Sequence, residues 1–173
     1  MEEFWNIIHF FAFTFLNKAS RALDKISPFT LMLKIPVVEK FLIKRGGSVE
    51  MINKASDDVV TNPLVSVNSF YSGLIMHLML VVFLFGMQTF YFVIFNNGKF
   101  PPFEVFVLAL FVNLSISFLL NYFLLFRKDK YLRYFKKFKK KPRAWKVKWG
   151  LISAGVVLFP FLVLAGSFVA MSK

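Results

Sequence analysis

Three long apolar segments dominate the second half of the chain. They cover residues 70–95, 102–126 and 149–171. As α-helices rising about 1.5 Å per residue they would measure roughly 34 to 39 Å, against about 30 Å for the hydrocarbon core of a bilayer. The pattern therefore predicts three transmembrane helices, and the excess length of the first two predicts that they are tilted.

Two connections of different character join these segments. Residues 96–101 form a short polar turn, in which asparagine and glycine favour left-handed backbone and two prolines open the next helix. Residues 127–148 hold 12 Lys or Arg and a single acid. Short basic loops stay on the cytoplasmic side, or its equivalent the mitochondrial matrix, because hydrated cations cross a bilayer only at high cost. We therefore expect the N-terminal region 1–69 on the side of the basic loop, and residues 172–173 outside.

Shorter apolar pieces occupy the N-terminal region. Residues 4–16 are too few to span a bilayer, and the helical pattern continues past them with Lys18 and Arg21 beside an aromatic stripe. Trp, Phe and flanking cations are typical of helices that lie in the membrane interface, so an interfacial amphipathic helix is the preferred interpretation. A helix packed on the protein itself is the alternative. A second apolar piece, residues 31–43, is interrupted by Pro36.

Composition agrees with a membrane protein. The 57% apolar and 19% aromatic content is more than a soluble domain of 173 residues can bury. The net charge of +13 is concentrated, since the basic loop holds 12 of the 22 cations. Tethering at both ends to the membrane argues against nucleic acid as its partner. The expected fold is an all-α integral membrane protein of the bacterial or mitochondrial inner membrane, with three transmembrane helices, an N-terminal interfacial helix and a basic cytoplasmic loop.

Polar side chains inside the predicted spans are the first candidates for function, because a bilayer makes them costly. His77 and Gln88 share one face of the first span. Asn113, Ser117 and Asn121 follow at intervals of four on the second. Counted from the inner ends of the spans, His77 lies at the depth of Ser117 and Asn121, and Gln88 falls nearer Asn113. We expect hydrogen bonds between the helices rather than a proton relay, because no intramembrane carboxylate accompanies the histidine.

The basic loop interleaves aromatic and cationic residues. Tyr131, Tyr134, Phe135 and Phe138 recur at helical spacing. If the second span continues as a helix through this region, its aromatic face can lie at the headgroup boundary while the cations meet anionic lipid. Docking of an acidic partner protein is the alternative. The candidate docking residues are Arg133, Lys136, Lys137, Lys139, Lys140, Lys141 and Trp145.

Small residues recur in the third span. Gly150 with Ala154, and Gly166 with Ala170, have the four-residue spacing that allows helix backbones to approach closely. They predict a packing face, either within the chain or against a partner. Pro160 predicts a kink between the two pairs.

Catalytic motifs are missing from the sequence. It has no Cys, its two histidines are His9 and His77, and it carries no HExxH, GxSxG or Walker motif. We expect no catalytic residue, no metal and no cofactor, and a protein that is not an enzyme. The leading hypothesis is a small subunit or scaffold of a larger membrane complex, docking through the basic loop, the N-terminal region and the third span. The alternative is a homo-oligomeric pore, channel or membrane-perturbing effector, lined by the polar residues of the first two spans.

Overall fold

The regular elements of this protein are helices throughout the described residues of the computed structural model. Those residues are 1–24, 27, 32–33, 35–64, 66–95 and 102–171. The helices are α1 (Glu2–Asp24), α2 (Pro36–Lys44), α3 (Val49–Thr61), α4 (Val67–Phe95), α5 (Phe103–Asn121), α6 (Lys130–Lys139) and α7 (Arg143–Met171).

Three helical stretches are long and apolar enough to cross a membrane. They are α4, the stretch that runs from α5 into α6, and α7. This confirms the prediction of an all-helical protein with three membrane-spanning segments. The predicted outer turn, residues 96–101, and the C-terminal residues 172–173 lie outside the described residues.

Two of the helices begin earlier than the predicted spans. Ser66 caps the first turn of α4, where its Oγ accepts a hydrogen bond from the Ser69 backbone N–H at 3.0 Å. α7 begins directly after Pro142, which is well suited to precede a helix because it has no N–H to satisfy. The last part of the basic segment, residues 143–148, therefore forms the first turns of α7.

The chain forms two compact units. One contains Met1–Phe11 and Gly73–Lys173, and the other contains Ala12–Ser72. Two helices, α1 and α4, contribute residues to both units. The membrane-spanning helices and the basic segment belong mainly to the first unit.

In the first unit, α4 packs against both of the other spans. Its polar side chains are bonded to α5, as described below, and Gly86 lies against the backbone of α7. A Cβ at Gly86 would lie 3.1 Å from the Leu164 nitrogen and 3.2 Å from the Leu164 Cα. The glycine therefore permits a close approach of two helix backbones, as is common in membrane proteins.

The second span ends in an irregular segment. A π-helical turn, Tyr122–Phe126, is followed by a 3₁₀ turn, Arg127–Asp129. Lys128 and Asp129 have φ values of 58° and 51°, in the left-handed region. Each such non-glycine residue costs on the order of 1–3 kcal/mol. The helix is broken here, so α6 begins as a separate helix rather than as a straight continuation of the span.

In the second unit, polar contacts connect α1 with α3 and with the first turn of α4. The buried amide of Asn68 donates to Asn17 Oδ1 at 2.7 Å and accepts from Ser20 Oγ at 3.2 Å. Arg21 and Asp57 form an exposed ion pair at 3.3 Å, which contributes little because water screens it. The buried Asn68 cluster is therefore the more important of the two connections.

We predict that replacing glycine by alanine lowers the stability of the protein at Gly86 but not at Gly155. Gly86→Ala would force α4 and α7 apart and destabilise the protein by about 1–3 kcal/mol, the usual effect of overpacking. Gly155→Ala is the matched control on α7, because a Cβ there meets nothing within 4 Å. Equilibrium unfolding of both variants in mixed detergent micelles measures the difference. Equal stability of the two variants would contradict the close approach at Gly86.

Candidate functional site

The polar side chains of the first two spans are hydrogen-bonded to each other. Gln88 Nε2 donates to Asn113 Oδ1 at 3.0 Å, and Asn113 Nδ2 donates to Gln88 Oε1 at 2.9 Å. Two amides thus satisfy each other reciprocally, and Asn113 is fully buried. This is the neighbour that the spacing predicted for Gln88.

A larger polar cluster lies nearer the basic end of the spans. Asn121 Nδ2 is 3.2 Å from His77 Nδ1, and Ser117 Oγ donates to the His77 carbonyl at 3.1 Å. Asn121 Oδ1 accepts from Trp5 Nε1 at 2.9 Å. The pairing of His77 with both Ser117 and Asn121 follows the expectation from depth. The participation of Trp5, from the N-terminal helix, is not expected from the sequence.

The last turn of the second span is capped by side chains from two other helices. Carbonyl groups at a helix end have no donor within the helix, and in a bilayer they must find one elsewhere. Asn6 Nδ2 donates to the Leu124 carbonyl at 2.9 Å, and Lys130 Nζ donates to the Phe123 carbonyl at 3.0 Å. The lysine also places a positive charge at the negative end of the helix dipole. α1 and α6 are therefore both fixed to the end of this span.

A short stretch near the start of α1 is enclosed by protein. All five residues from Asn6 to Phe10 are buried, which a helix lying on a membrane surface would not show. Of the two interpretations of this segment, the helix packed on the protein describes these turns. The buried face contacts the aromatic residues of α6 and of the π-helical turn.

His9 lies among aromatic rings in this interface. Its imidazole is 5.2 Å from the ring of Phe135, 5.6 Å from that of Tyr131 and 6.1 Å from that of Phe126, measured between ring centroids. Burial lowers the pKa of His9 to about 3, because the charged form would lose its hydration. His9 is therefore neutral at physiological pH.

The aromatic face of α6 is buried against α1. Phe135 and Phe138 lie 5.3 Å and 5.7 Å from the ring of Phe10, and both are almost inaccessible to solvent. Trp145, from the start of α7, stacks on Phe138 at 5.4 Å. The sequence pattern predicts these aromatic side chains at the lipid headgroups, but α1 and α7 cover Phe135 and Phe138. What α6 leaves exposed is its cationic face.

Two acids at the start of α1 neutralise part of the basic segment. Glu2 accepts from Lys130 at 2.7 Å and from the Tyr134 hydroxyl at 3.3 Å, and Glu3 accepts from Lys137 at 2.8 Å. The hydrogen bond from the Lys130 ammonium lowers the pKa of the Glu2 carboxyl. These pairs lie near the surface, so they orient the helices more than they stabilise them.

The other cations of α6 and of the turn after it face outward. Lys141 is half-buried and lies 5.9 Å above the ring of Trp145, a cation–π contact. Five members of the predicted docking set are exposed. Lys137 is paired with Glu3, and the other four are Arg133, Lys136, Lys139 and Lys140. We call these four residues the cationic face of α6.

The predicted packing residues of α7 have mixed positions. A Cβ at Gly150 would lie 3.4 Å from Phe11, whereas Gly166 is exposed and its nearest neighbour, Phe90, would lie at 3.5 Å. These are ordinary contacts rather than close backbone approaches. Ala154 is exposed and Ala170 is half-buried.

The buried stripe of α7 follows a different set of residues. Ser153, Pro160 and Ser167 point inward at intervals of seven, and the helix continues through the proline. In the part of the chain that the structure describes, no group of three His, Asp or Glu could hold a metal ion.

Sequence reasoning missed several residues that build this site. Trp5 and Asn6 lie in a run whose preferred interpretation is an interfacial amphipathic helix, and nothing in the sequence distinguishes Lys130 from the other cations. The usable signal was Asn6, a polar residue within an otherwise apolar run, which burial would require to be hydrogen-bonded. Gly86 could also have been noticed, as a glycine within a long apolar helix.

Comparison with known proteins gives no relative from which a function could be transferred. No family model, no curated protein and no solved structure matches the chain. The fold and the site therefore define only a class: a three-span helical membrane protein with a cationic helix at one end.

We predict energetic coupling between Gln88 and Asn113. Asn113→Leu leaves the Gln88 amide without its partner inside the bilayer, and Gln88→Leu has the reverse effect. The double variant should recover part of the loss, with a coupling of about 0.6 to 2 kcal/mol. Unfolding of the four members of the cycle in mixed micelles measures it. Ser115→Leu is the control, because Ser115 is exposed and bonds only to its own helix at Phe111.

We also predict that acid destabilises the protein through His9. Between the ordinary pKa of histidine, 6.5, and that of glutamate, 4.5, the unfolded state binds a proton at this position and the folded state does not. The free energy of unfolding should therefore fall by about 1.4 kcal/mol for each unit by which the pH is lowered within this window. His9→Leu should remove this part of the slope in unfolding curves measured across the window. An unchanged slope in the variant would contradict the assignment.

Proposed function

We propose that this protein is a non-enzymatic integral-membrane subunit or scaffold of a larger membrane complex, which docks an acidic partner on the cationic face of α6. The observation that carries the proposal is the separation of the two faces of this helix. Three of its four aromatic residues are buried against α1 and α7 and the fourth, Tyr134, is half-buried, while four cations are exposed: Arg133, Lys136, Lys139 and Lys140. A helix that binds membrane interfaces would present its aromatic residues outward together with the cations.

The geometry of the cations favours electrostatic recognition. Glu2 and Glu3 are paired with Lys130 and Lys137, on the side of α6 nearest α1. The remaining charges are held on a helix that is fixed at its start by the Lys130 contacts and at its end by Trp145. A rigid array of like charges attracts an oppositely charged surface and fixes its orientation.

The intramembrane hydrogen bonds support this proposal over the pore alternative. A pore would need Asn113, Ser117 and Asn121 to face a water-filled path between several copies of the chain. All three are buried and bonded within one chain. Polar groups that satisfy each other fix the register of the spans and leave little to contact a permeating ion.

The orientation of the complex follows from the positive charge. We propose that the cationic face of α6 and the N-terminus lie on the cytoplasmic or matrix side of an inner membrane, and that the C-terminus lies outside. The partner is then a cytoplasmic-side domain or a second membrane subunit with acidic residues at the membrane surface. The exposed surface of α7, which includes Ala154, is available for contact with a further membrane helix.

We predict that neutralising the cationic face releases the partner. Arg133→Gln with Lys136→Gln should reduce several-fold the protein that copurifies with the tagged chain from native membranes in mild detergent. Raising the ionic strength should have the same effect on the unmodified protein, because salt screens exposed charges. Lys18→Gln with Lys54→Gln is the matched control, since it removes the same charge from exposed positions outside the basic segment.

Three outcomes of this experiment are informative. Stoichiometric copurification that the control retains and the variant loses supports the proposal. Extraction of the chain alone as a monomer contradicts the subunit function. Copurification that neither the substitutions nor salt affect contradicts the assignment of the docking surface to α6.

A further inference from the structure

The short helix α2 has little support from the rest of its unit. It contains nine residues, its N-cap residue Ile35 makes no side-chain capping bond, and none of its residues is buried. Helices shorter than about 12 residues are marginal in water unless tertiary packing stabilises them. An additional surface to lie against would therefore stabilise a helix of this length and exposure.

The exposed apolar residues of α2 form one edge. At about 100° per residue, Val37 and Phe41 lie next to each other on the helix surface. They are 74% and 55% exposed, whereas Val38 and Leu42, further around the helix, are half-buried. We call Val37 and Phe41 the apolar edge of α2. Ile43 is also exposed but lies outside this edge.

Cations border the apolar edge. Lys40 and Lys44 are the next residues around the helix from Val37, and both are exposed. Arg45 follows the helix, with its guanidinium carbon 4.8 Å from the centre of the Phe41 ring. The single acid, Glu39, lies on the opposite side of the helix from the edge. Apolar and positive groups are therefore together on one side, and the negative group faces away.

We propose that α2 is a membrane-surface anchor, in which the apolar edge enters the headgroup boundary and Lys40, Lys44 and Arg45 contact anionic lipid headgroups. Exposed apolar residues flanked by cations are the pattern that binds such surfaces. The bilayer is the binding surface that we propose, because it is always present next to a chain whose own spans cross it. The leaflet is the one on the side of the basic segment, on which the region before the first span is expected.

This assignment differs from the interfacial helix expected from the sequence. The sequence predicts that helix from residue 4 onward, within α1, where Asn6–Phe10 are enclosed by protein. α2 has the exposed apolar residues that those turns lack. The proposal is also independent of partner docking at α6, since it concerns the chain and lipid alone.

The absence of cysteine from the sequence allows a direct test. A single cysteine, introduced as Val37→Cys or as Glu39→Cys, carries an environment-sensitive fluorophore in the full-length chain. Each labelled protein is placed in nanodiscs of phosphatidylcholine, with or without phosphatidylglycerol. Lipids with a nitroxide near the headgroup report contact with the bilayer, and aqueous iodide reports contact with water.

We expect the label at position 37 to be blue-shifted and quenched several-fold more strongly by the nitroxide lipid than the label at position 39. The difference should require phosphatidylglycerol, and Lys40→Gln with Lys44→Gln and Arg45→Gln should abolish it. Lys18→Gln with Lys54→Gln should leave it unchanged. Circular dichroism confirms that each variant keeps its helices.

Two results would overturn the anchor. Equal lipid quenching at the two positions in anionic nanodiscs would contradict the proposed orientation of α2 on the membrane. Protection of position 37 from both iodide and nitroxide lipid would mean that a protein surface, such as a second copy, covers the edge. Neither result would affect the copurification test of α6, which uses native membranes and different residues.

Discussion

The structure depends on one constraint, which is that a polar group inside a bilayer has no water to bond with. The end of the second span meets this constraint with side chains from elsewhere in the sequence. Asn6 and Lys130 donate to the carbonyls of Leu124 and Phe123. These two bonds join the first helix of the chain, the second span and the start of the basic helix. Other polar side chains of the first two spans satisfy each other in a similar way, as in the pairs of Gln88 with Asn113 and of His77 with Asn121.

The consequences of these contacts extend to the surface of the protein. Because α1 is fixed beneath α6, it covers the aromatic residues of α6 and leaves the cations exposed. The same packing buries His9 and partly buries Trp5, residues that would suit a membrane interface if the helix were free. Part of a segment that resembles a surface anchor, Asn6–Phe10, thus becomes part of the interior. The functional consequence is a positive surface held in place by a packed aromatic interface.

The candidate site could be predicted in part. The faces of α4 and α5 follow from helical periodicity, because one rotation angle applies along each helix, and so Gln88 and Asn113 could be expected to meet. The roles of Trp5 and Lys130 could not, since they depend on which distant segments pack together. The small residues of α7 illustrate the same limit. Their spacing predicts that a close approach is possible, but the observed one involves Gly86 and Leu164.

The sequence by itself determined the helical membrane class, the three spans and the concentration of charge between the second and the third. These features follow from local properties, namely apolar length and the high cost of moving cations through hydrocarbon. Only the tertiary structure decided which faces are covered. Whether an amphipathic segment such as α1 or α6 faces lipid, water or protein depends on competition between distant surfaces. That competition is settled by packing and hydrogen bonding between segments more than 100 residues apart, such as Asn6 and Leu124.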